Sequence, residues 1–453
     1  MSTRFISTDR NQQYIFPPTI DDWLPENHLA RFVVEIVGQL DMKALSESYT
    51  NGGSKAYHPE ILLSLLFYGY ATGVFSSRKI EKATFDSVAF RYISANTHPD
   101  HDTIATFRKR FLKELKPLFT QILLLCHEMG LLKLGNVSLD GTKIKANASK
   151  HHALSWEYAC KLEDQLQSEV DKLLRLAEEA DAEKIPEGMN IPDELSRRKD
   201  RLAAITNAKE KLKQRADERY EREKKEYETK KKQREEKEKK TGKKFRGNGS
   251  KSPEPEPRKK DQINLTDEES RIMPSSGKGF EQSYNAQASV DVDTMLIVGS
   301  HVSQSSNDKK EIDKAVCVLK NLPDELGEIH SLLADAGYFS SENVYTCENE
   351  KINPYISPGR DKHNEPLFER FLNPEEPPEC ADAITMMQYK LKTPEGRKLY
   401  AKRKSTVEPV FGIIKNVMGF RQFSLRGLDS VSGEWDLVSI AWNIKRMFAL
   451  RTS

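Results

Sequence analysis

The distribution of apolar residues over the first 135 positions predicts a series of helices. In PEILLSLLFYGYATG apolar residues recur at helical spacing, and the run begins with Pro59, which suits a first helical turn. A second helix is predicted over SSRKIEKATFDSVAFRYISAN. A third is predicted over HDTIATFRKRFLKELKPLFTQILLLCHEMG, capped by Asp102 or Thr103 and ended by Gly130.

Basic residues cluster on two of these helices. Several helices with short breaks and basic faces fit a helix-turn-helix-like module that binds DNA. The alternative is an ordinary helical bundle whose basic faces are solvated. The basic residues concerned are Arg78, Lys79, Arg108, Lys109 and Arg110.

Residues 153–213 carry apolar residues at heptad-like spacing, in two stripes. The segment EKIPEGMNIPDE between the stripes contains two prolines and a glycine, so the pattern predicts an antiparallel helical hairpin. One stripe consists of Ala159, Leu162, Leu166, Val170, Leu173 and Ala177, and the other of Leu195, Leu202, Ile205 and Leu212.

Charged residues dominate the chain after the hairpin. From Gln214 to Lys244 almost no apolar residue remains, and Glu221–Lys244 holds 12 Lys or Arg against 7 Glu, a local net charge of +5. This segment is either an exposed charged helix or disordered, and RGNGSKSPEPEPRKK after it is a linker. Such a charge run is more typical of a solvated face than of a specific DNA contact.

After the linker the period changes from helical to alternating. SYNAQASVDVDTMLIVGSHVS predicts a β-hairpin with its turn near Asp291–Thr294, and IHSLLAD predicts an apolar strand that ends at Asp335. Amphipathic helices and one further strand, INPYISP, follow. With residues 153–275 set aside, three strands are followed by alternating helices and strands. This order predicts a mixed sheet flanked by helices, and it is the element order of the ribonuclease-H-like fold.

Composition narrows the class of protein. The chain has 453 residues, 37% hydrophobic and 31% charged, with a net charge of +2; it is long enough for two or three domains, and a polyanionic partner is not excluded. The five cysteines form no CxxC pair, which disfavours a zinc ribbon and indicates a reducing compartment. MSTRFISTDRNQQYIF lacks the apolar core of a signal peptide, and no apolar run reaches the ~18 residues that span a bilayer. A cytoplasmic protein without a membrane partner is expected.

Three carboxylates are candidates for chemistry. Asp140 and Asp335 each close an apolar strand, VSLD and SLLAD, and Glu408 lies at the start of a helix in STVEPVFG. Ligand sites of mixed α/β sheets gather at strand ends, so the three side chains can converge on two divalent cations and catalyse phosphoryl transfer. Ligation by oxygen alone favours magnesium or manganese over zinc. The alternative for an aspartate at a strand end is a turn or cap residue.

These motifs resemble a known family. SLDGTKIKANASKH, ADAGYFS and YAKRKSTVEPVFGIIK resemble the DDE transposases of bacterial insertion sequences that carry a Tyr-Arg-Glu-Lys signature. HPEILLSLLFYGYATGVFSSRKIEKAT and DHDTIATFRKRF are similar to the helical amino-terminal domain of that family. The resemblance covers residues ~40–150 and ~275–450. It implies that Asp140, Asp335 and Glu408 are the catalytic triad and hold two Mg²⁺ or Mn²⁺ ions.

The rest of the signature would be Tyr400, Arg403 and Lys415, whose basic members contact DNA phosphates near the cut. The signature places three residues between its Arg and its Glu. Arg403 has four and Lys404 has three, so either residue could fill the basic role. Lys415 follows Glu408 by seven residues, two helical turns, and is expected to face the same way.

Three further lysines follow Asp140. A DNA backbone that passes the metal site would meet the chain just downstream of this aspartate, where basic side chains can neutralise phosphates. The residues concerned are Lys143, Lys145 and Lys150.

The expected protein is a bacterial transposase, associated with the nucleoid, whose partner is double-stranded DNA. It would bind terminal inverted repeats, cut them by metal-dependent hydrolysis to free 3′-hydroxyls, and join these ends to target DNA. Because two ends must be paired, a homodimer or a larger synaptic complex is expected. The alternatives are a hydrolytic nuclease of the same fold and a domesticated DNA-binding protein without catalysis; the intact triad argues against the latter.

Three domains are expected. Residues 1–135 would form a helical DNA-binding domain, and residues 136–152 and 276–453 a ribonuclease-H-like α/β catalytic domain. Residues 153–275 would form an insertion made of a coiled-coil-like helical hairpin and a charged, partly disordered linker.

Overall fold

The computed structural model describes residues 19–47, 49, 56–178, 190–241, 252–275, 279–359, 374, 376–378 and 382–452. The stretch MSTRFISTDRNQQYIF, most of the predicted hairpin loop, the first part of the predicted linker and Cys380 lie outside these residues. The chain divides into two compact units, each described by itself. Unit 1 comprises Met1–Ile144 and Asn285–Ser453, and unit 2 comprises Lys145–Tyr284.

Unit 1 begins with a helical region, as the sequence predicts. Pro59 occupies the first position of its most buried helix, and Gly73 ends that helix with a φ of 84°, a left-handed conformation that suits glycine. The helices before the first strand in the described residues are α1 (Leu29–Val37), α2 (Lys43–Glu47), α3 (Pro59–Thr72), α4 (Ser77–Asp86), α5 (Val88–Ile93), α6 (His101–Arg110) and α7 (Leu115–Glu128).

Two of the predicted helices are each divided in the structure. The second is broken at Ser87, whose backbone is extended, into α4 and α5. The third is broken between Arg110 and Leu115 into α6 and α7. The break places Pro117 in the first turn of α7, where its missing N–H costs nothing, whereas a continuous helix would have placed it in the interior. The apolar period runs through both breaks, so the sequence pattern does not reveal them.

The cap of α6 also differs from the expectation. Asp100, not Asp102 or Thr103, is the N-cap residue, and its carboxylate accepts a hydrogen bond of 2.8 Å from the Thr103 N–H. An aspartate at this position satisfies one of the free donors of the first helical turn.

Within the residues that the structure describes, the strands form one six-stranded sheet and one two-stranded sheet. The sequence predicts that the first strand ends at Asp140. In the structure it continues to Lys145, with β5 (Gly279–Asp291) as a neighbouring strand. In chain order the strands are β1 (Asn136–Lys145), β2 (Ala153–Ser155), β3 (Gln262–Asn264), β4 (Arg271–Ser275), β5 (Gly279–Asp291), β6 (Ile297–Ser303), β7 (Ser331–Ala334) and β8 (Asn353–Ile356).

The sheet of unit 1 is mixed, which confirms the prediction at that level. Its order is β6–β5–β1–β7–β8, in which β5 and β6 are antiparallel whereas β1, β7 and β8 are parallel. The turn between β5 and β6 falls where it is predicted, and the Asp291 carboxylate accepts hydrogen bonds from the Thr294 N–H and hydroxyl.

Unit 2 contains the predicted helical hairpin, formed by α8 (Trp156–Glu178) and α9 (Ile191–Thr241). Leu162, Leu166 and Ile205 pack in one apolar cluster between these helices. The antiparallel strands β2 and β3 pair within the same unit, and β4 pairs with the first residues of β5. Helix α9 continues to Thr241, so the charged run is an exposed helix over its described part.

The remaining helices of unit 1 follow β6. They are α10 (Ile312–Lys320), α11 (Ser341–Asn349), α12 (Ala383–Lys392), α13 (Pro394–Ala401), α14 (Val407–Gly412) and α15 (Leu428–Arg451). Among the described residues, no helix combines the length and the apolar character that crossing a membrane requires.

Helix α15 is the central element of unit 1. It packs against β6 and against α1, α3 and α7, and Trp435 is among its fully buried residues. Its buried Glu434 carboxylate accepts hydrogen bonds from the Tyr70 hydroxyl at 3.0 Å and from the N–H groups of Ser424 and Leu425. The amino-terminal helices and the sheet therefore share a core instead of forming two separate ones.

Candidate active site

Two of the three candidate carboxylates lie side by side. Strands β1 and β7 are parallel, with Asn136 opposite Ser331, and Asp140 and Asp335 each follow these residues by four positions. The two aspartates therefore stand at the same level on neighbouring strands, which are about 4.8 Å apart in such sheets. This pairing is what the element order and the strand-end positions lead one to expect.

Local hydrogen bonds orient both carboxylates. Asp140 Oδ1 accepts from the N–H of Gly141 at 2.8 Å. Asp335 caps the short helical turn Ala336–Tyr338, and its Oδ1 accepts from the N–H of Gly337 at 2.8 Å. Each aspartate is thus held by the backbone that immediately follows it.

The electrostatic environment of Asp140 favours a bound cation. The pKa of this carboxyl is raised to about 6, mainly by burial. The carboxylates of Asp335 and Asp308 also raise this pKa, whereas the Gly141 hydrogen bond and the charge of Arg403 lower it. A positive ion between the aspartates would relieve this repulsion. Mg²⁺ is commonly held by one or two carboxylates together with substrate phosphates, and the pair of aspartates fits that donor set.

The third candidate, Glu408, does not complete a three-carboxylate cluster. Among the described residues, no three His, Cys, Asp or Glu side chains are grouped so as to hold a metal ion. Glu408 lies in the first turn of α14 with its side chain half exposed, and its Oε1 is 3.5 Å from the guanidinium of Arg403. The charge of Arg403 therefore acts both on Glu408 and on Asp140.

Arg403 and Lys404 differ in their environment. Arg403 is 91% buried, lies over the ring of Tyr400 at 5.8 Å, and its Nε has no hydrogen-bond partner within the part of the chain that is described. Lys404 is exposed. The structure places Arg403, and not Lys404, next to the carboxylates.

Lys415 reaches the first strand. It lies in a π-helical turn, Ile413–Val417, that follows α14, and its ammonium donates to the backbone carbonyl of Lys143 at 3.0 Å. Burial and the nearby Lys143 lower its pKa. The expectation that Lys415 and Glu408 face the same way assumed a continuous α-helix, and the π turn changes that register.

The lysines after Asp140 are differently placed. Lys143 pairs with Asp308 at 3.4 Å in unit 1, and Lys145 pairs with Glu281 at 2.8 Å in unit 2. Lys150 is exposed. The ammonium groups of Lys143 and Lys145 thus already have carboxylate partners, which the sequence alone does not indicate.

The basic residues of the amino-terminal helices also differ in whether they are exposed or have partners within the chain. Arg78, Lys79 and Lys109 are exposed. Arg108 instead turns inward and donates to the Tyr70 hydroxyl at 3.0 Å and to the Phe75 carbonyl at 3.1 Å, so it links α6 to α3 and to the residues that follow α3. Arg110 lies over the rings of two aromatic residues, Tyr49 and Phe111.

Four polar residues beside the aspartates are absent from the sequence-based site. Asn285 and Gln287 on β5 are fully buried, and both donate to Oδ1 of Asp308, at 2.6 and 2.9 Å. The buried Tyr338 donates to the side-chain oxygen of Gln287. The signal in the sequence is the pair of amides two positions apart in SYNAQASVDV, a predicted strand whose polar residues must find partners when buried.

Gly141 accommodates this polar network. A Cβ atom at this position would lie 2.1 Å from Gln287 Nε2 and 2.9 Å from Asn285 Oδ1, far inside normal contact distance. The glycine that follows Asp140 is therefore required for space.

Comparison with known proteins gives two matches. Residues 18–110 match the family model of a transposase domain (DUF772), and residues 242–444 match that of a transposase DDE domain. No curated protein and no solved structure matches the chain. Asp335, Arg403 and Glu408 lie within the second matched stretch, whereas Asp140 lies outside both.

Proposed function

Because the chain belongs to the DDE transposases of insertion sequences, we propose that it cuts the ends of its DNA element and joins them to target DNA at a site built on Asp140, Asp335 and Glu408. The observation that supports this proposal most directly is the parallel register of β1 and β7, which brings Asp140 beside Asp335. The order β6–β5–β1–β7–β8 is in keeping with a ribonuclease-H-like core, which we propose as the fold of the sheet.

The proposed role of the two aspartates is to bind divalent cations, Mg²⁺ or Mn²⁺, with Glu408 as the third ligand. When bound, two such ions stabilise the attacking and leaving oxygens of an in-line displacement at phosphorus. The aspartates supply oxygen ligands, and the backbone N–H groups of Gly141 and Gly337 fix their orientation. Such outer hydrogen bonds are generally needed to keep metal ligands in place.

Arg403 is proposed as the basic member of the signature, with Tyr400 beneath its guanidinium. Its guanidinium offsets the negative charge of Asp140 and Glu408, and the same charge is proposed to attract a phosphate group of the DNA. Lys415 is proposed to position β1 through the Lys143 carbonyl as well as to contact DNA. Lys404 and Lys150 are both exposed and are proposed to contact only DNA phosphates at the edge of the site.

The exposed residues Arg78, Lys79 and Lys109 are proposed to bind the terminal repeats from the amino-terminal helices. Because two ends of one element must be cut and joined together, the working form is proposed to contain at least two copies of the chain. The reaction comprises two phosphoryl transfers. Water first displaces the 3′-oxygen of the element from its phosphodiester. The freed 3′-hydroxyl then attacks a phosphodiester of the target, forms a new bond to its phosphorus and displaces the 3′-oxygen of the target strand, which leaves as a 3′-hydroxyl.

The test is end cleavage by full-length variants in which each ligand loses its charge but keeps its shape. Asp140→Asn, Asp335→Asn and Glu408→Gln should each reduce cleavage in Mg²⁺ by far more than ~10²-fold while binding of the end DNA is retained. The matched control is Asp313→Asn, which makes the same change at an exposed aspartate on α10. A ligand variant that cuts at nearly the wild-type rate would remove that residue from the site.

Strand transfer separates the proposal from a purely hydrolytic nuclease of the same fold. Pre-cut ends with free 3′-hydroxyls are incubated with the protein, Mg²⁺ and a supercoiled target, and joined products are mapped. A transposase joins these ends to the target. Cleavage of uncut ends without any joining of pre-cut ends would favour the nuclease.

A further inference from the structure

Asp308 holds a buried polar network beside the two aspartates. Its Oδ1 accepts hydrogen bonds from Asn285 at 2.6 Å and Gln287 at 2.9 Å, and the ammonium of Lys143 lies 3.4 Å away. Both amide side chains are fully buried, so neither can replace these bonds with water at low cost. We call Asn285, Gln287 and Asp308 the amide clamp.

The clamp contacts the segment that carries Asp140. Gln287 and Asn285 fill the space that a side chain at position 141 would need, so Gly141 rests against both amides. The N–H of Gly141 in turn donates to the Asp140 carboxylate. A displacement of the amides would therefore shift the group that orients Asp140.

The clamp also contacts the segment that carries Asp335. The Tyr338 hydroxyl donates to the side-chain oxygen of Gln287, and Tyr338 ends the short helical turn that Asp335 caps. A Cβ atom built on Gly337 would lie 2.9 Å from Asp335 Oδ1 and 3.9 Å from Asp308 Oδ2, so both carboxylates lie close to this glycine. Gln287 thus joins the turn after Asp335 to the strand after Asp140.

We propose that Asp308 is a positioning residue that holds Asp140 and Asp335 at a fixed separation through Gln287 and Asn285. The inference rests on the proposed function, since it assumes that these two aspartates bind the metal ions. In this role Asp308 acts as a hydrogen-bond acceptor for the two amides, since the bonds from both amides and the nearest approach of Lys143 all involve Oδ1.

Asparagine at position 308 distinguishes this role from that of a ligand. Asp308→Asn keeps an oxygen that can accept from both amides but removes the charge, whereas Asp308→Ala removes both. The site-specific binding of Mn²⁺ to the full-length protein, measured from the electron paramagnetic resonance signal of free Mn²⁺, is taken as the difference between wild type and Asp140→Ala. The rate of end cleavage at saturating Mn²⁺ is measured alongside.

Asp308→Ala should weaken Mn²⁺ binding or lower the saturated cleavage rate about 10- to 100-fold, the range for residues that orient metal ligands. Asp308→Asn should restore both quantities to within about threefold of wild type, because two of the three contacts survive. Asp291→Ala is the control for general destabilisation. It removes a buried carboxylate from β5, the strand that carries Asn285 and Gln287, but this carboxylate accepts hydrogen bonds only within the turn to β6.

Three results would overturn the proposal, and they are distinguishable. If Asp308→Ala binds and cuts like wild type, the clamp does not position the aspartates. If Asp308→Asn is as impaired as Asp308→Ala, the charge of Asp308 is what matters, and its role is that of a ligand. If Asp140→Ala itself binds Mn²⁺ like wild type, the proposed function fails at Asp140, and the positioning role fails with it.

Discussion

Replacing Gly141 by alanine should disable the site by steric pressure alone. The glycine has no left-handed backbone angle, so the substitution brings no intrinsic strain. The new methyl group would lie 2.1 Å from Gln287 Nε2, whereas non-bonded heavy atoms rest at about 3.5–4.0 Å. The Gln287 amide must therefore retreat by roughly 1–2 Å, which breaks its 2.9 Å bond to Asp308 or its bond to Tyr338.

The magnitude follows from two terms. Overpacking a buried site costs about 1–3 kcal/mol, and each lost hydrogen bond of the network adds about 1 kcal/mol. Gly141→Ala should therefore lower the free energy of unfolding by about 2–4 kcal/mol. Because Gly141 orients the Asp140 carboxylate, a shift of about 1 Å should also reduce cleavage about 10²-fold.

The assay combines thermal unfolding with single-turnover cleavage of end DNA, and the control is Gly412→Ala. No atom lies within 4 Å of a Cβ built on Gly412, which is in α14 four residues after Glu408. Alanine in a helix should leave that variant as stable as wild type or slightly more so. Loss of stability in Gly141→Ala without any loss of cleavage would refute the link between the packing of Gly141 and Asp140.

Two other predictions concern stability. Burial raises the pKa of Asp436 to about 6, so between about pH 4 and pH 6 the folded chain keeps a proton that the unfolded chain loses, and stability falls as the pH rises through this window. Asp436→Asn can still accept a hydrogen bond from Ser300 and should melt at a higher temperature than wild type at pH 7.5, with a free energy of unfolding greater by at most about 3 kcal/mol. Near pH 4 the variant and the wild type should melt at the same temperature. If the two proteins melt at the same temperature at both pH values, the shift in pKa is contradicted. Glu434→Ala should lower the free energy of unfolding by about 3 kcal/mol or more in denaturant titration, because the Tyr70 hydroxyl and two backbone N–H groups lose their buried acceptor; a loss below about 1 kcal/mol would show that water replaces it.

The parts of the fold that the sequence predicts are those encoded by local patterns. Apolar periodicity finds the strand before Asp140 and the strand before Asp335, and the order of elements then predicts the mixed sheet. The same periodicity passes over the breaks at Ser87 and before α7, because apolar residues continue on both sides of each break. Local patterns therefore locate elements better than they locate the ends of elements.

The partners of charged and polar side chains are set by tertiary packing, which local patterns do not contain. Arg108 has the appearance of a surface cation in FRKRF, but its partner Tyr70 is shared with Glu434 at the far end of the chain. Lys143 has the appearance of a phosphate contact, but its partner is Asp308, 165 residues away. The register of β1 and β7, by contrast, gives physical support to a pairing that the sequence suggests.

The bond between Tyr70 and Glu434 has a consequence for synthesis of the protein. The two residues are 364 positions apart, so a ribosome that adds 5–20 residues per second needs about 20 to 70 s to pass from one to the other. For most of that interval α1, α3 and α7 have been made, but α15, which packs against them, has not. The nascent chain therefore exposes apolar helix surface for tens of seconds, and such surface is prone to aggregation until α15 is made. Translation products that stop before α15 cannot close this core, so premature termination yields no folded unit 1.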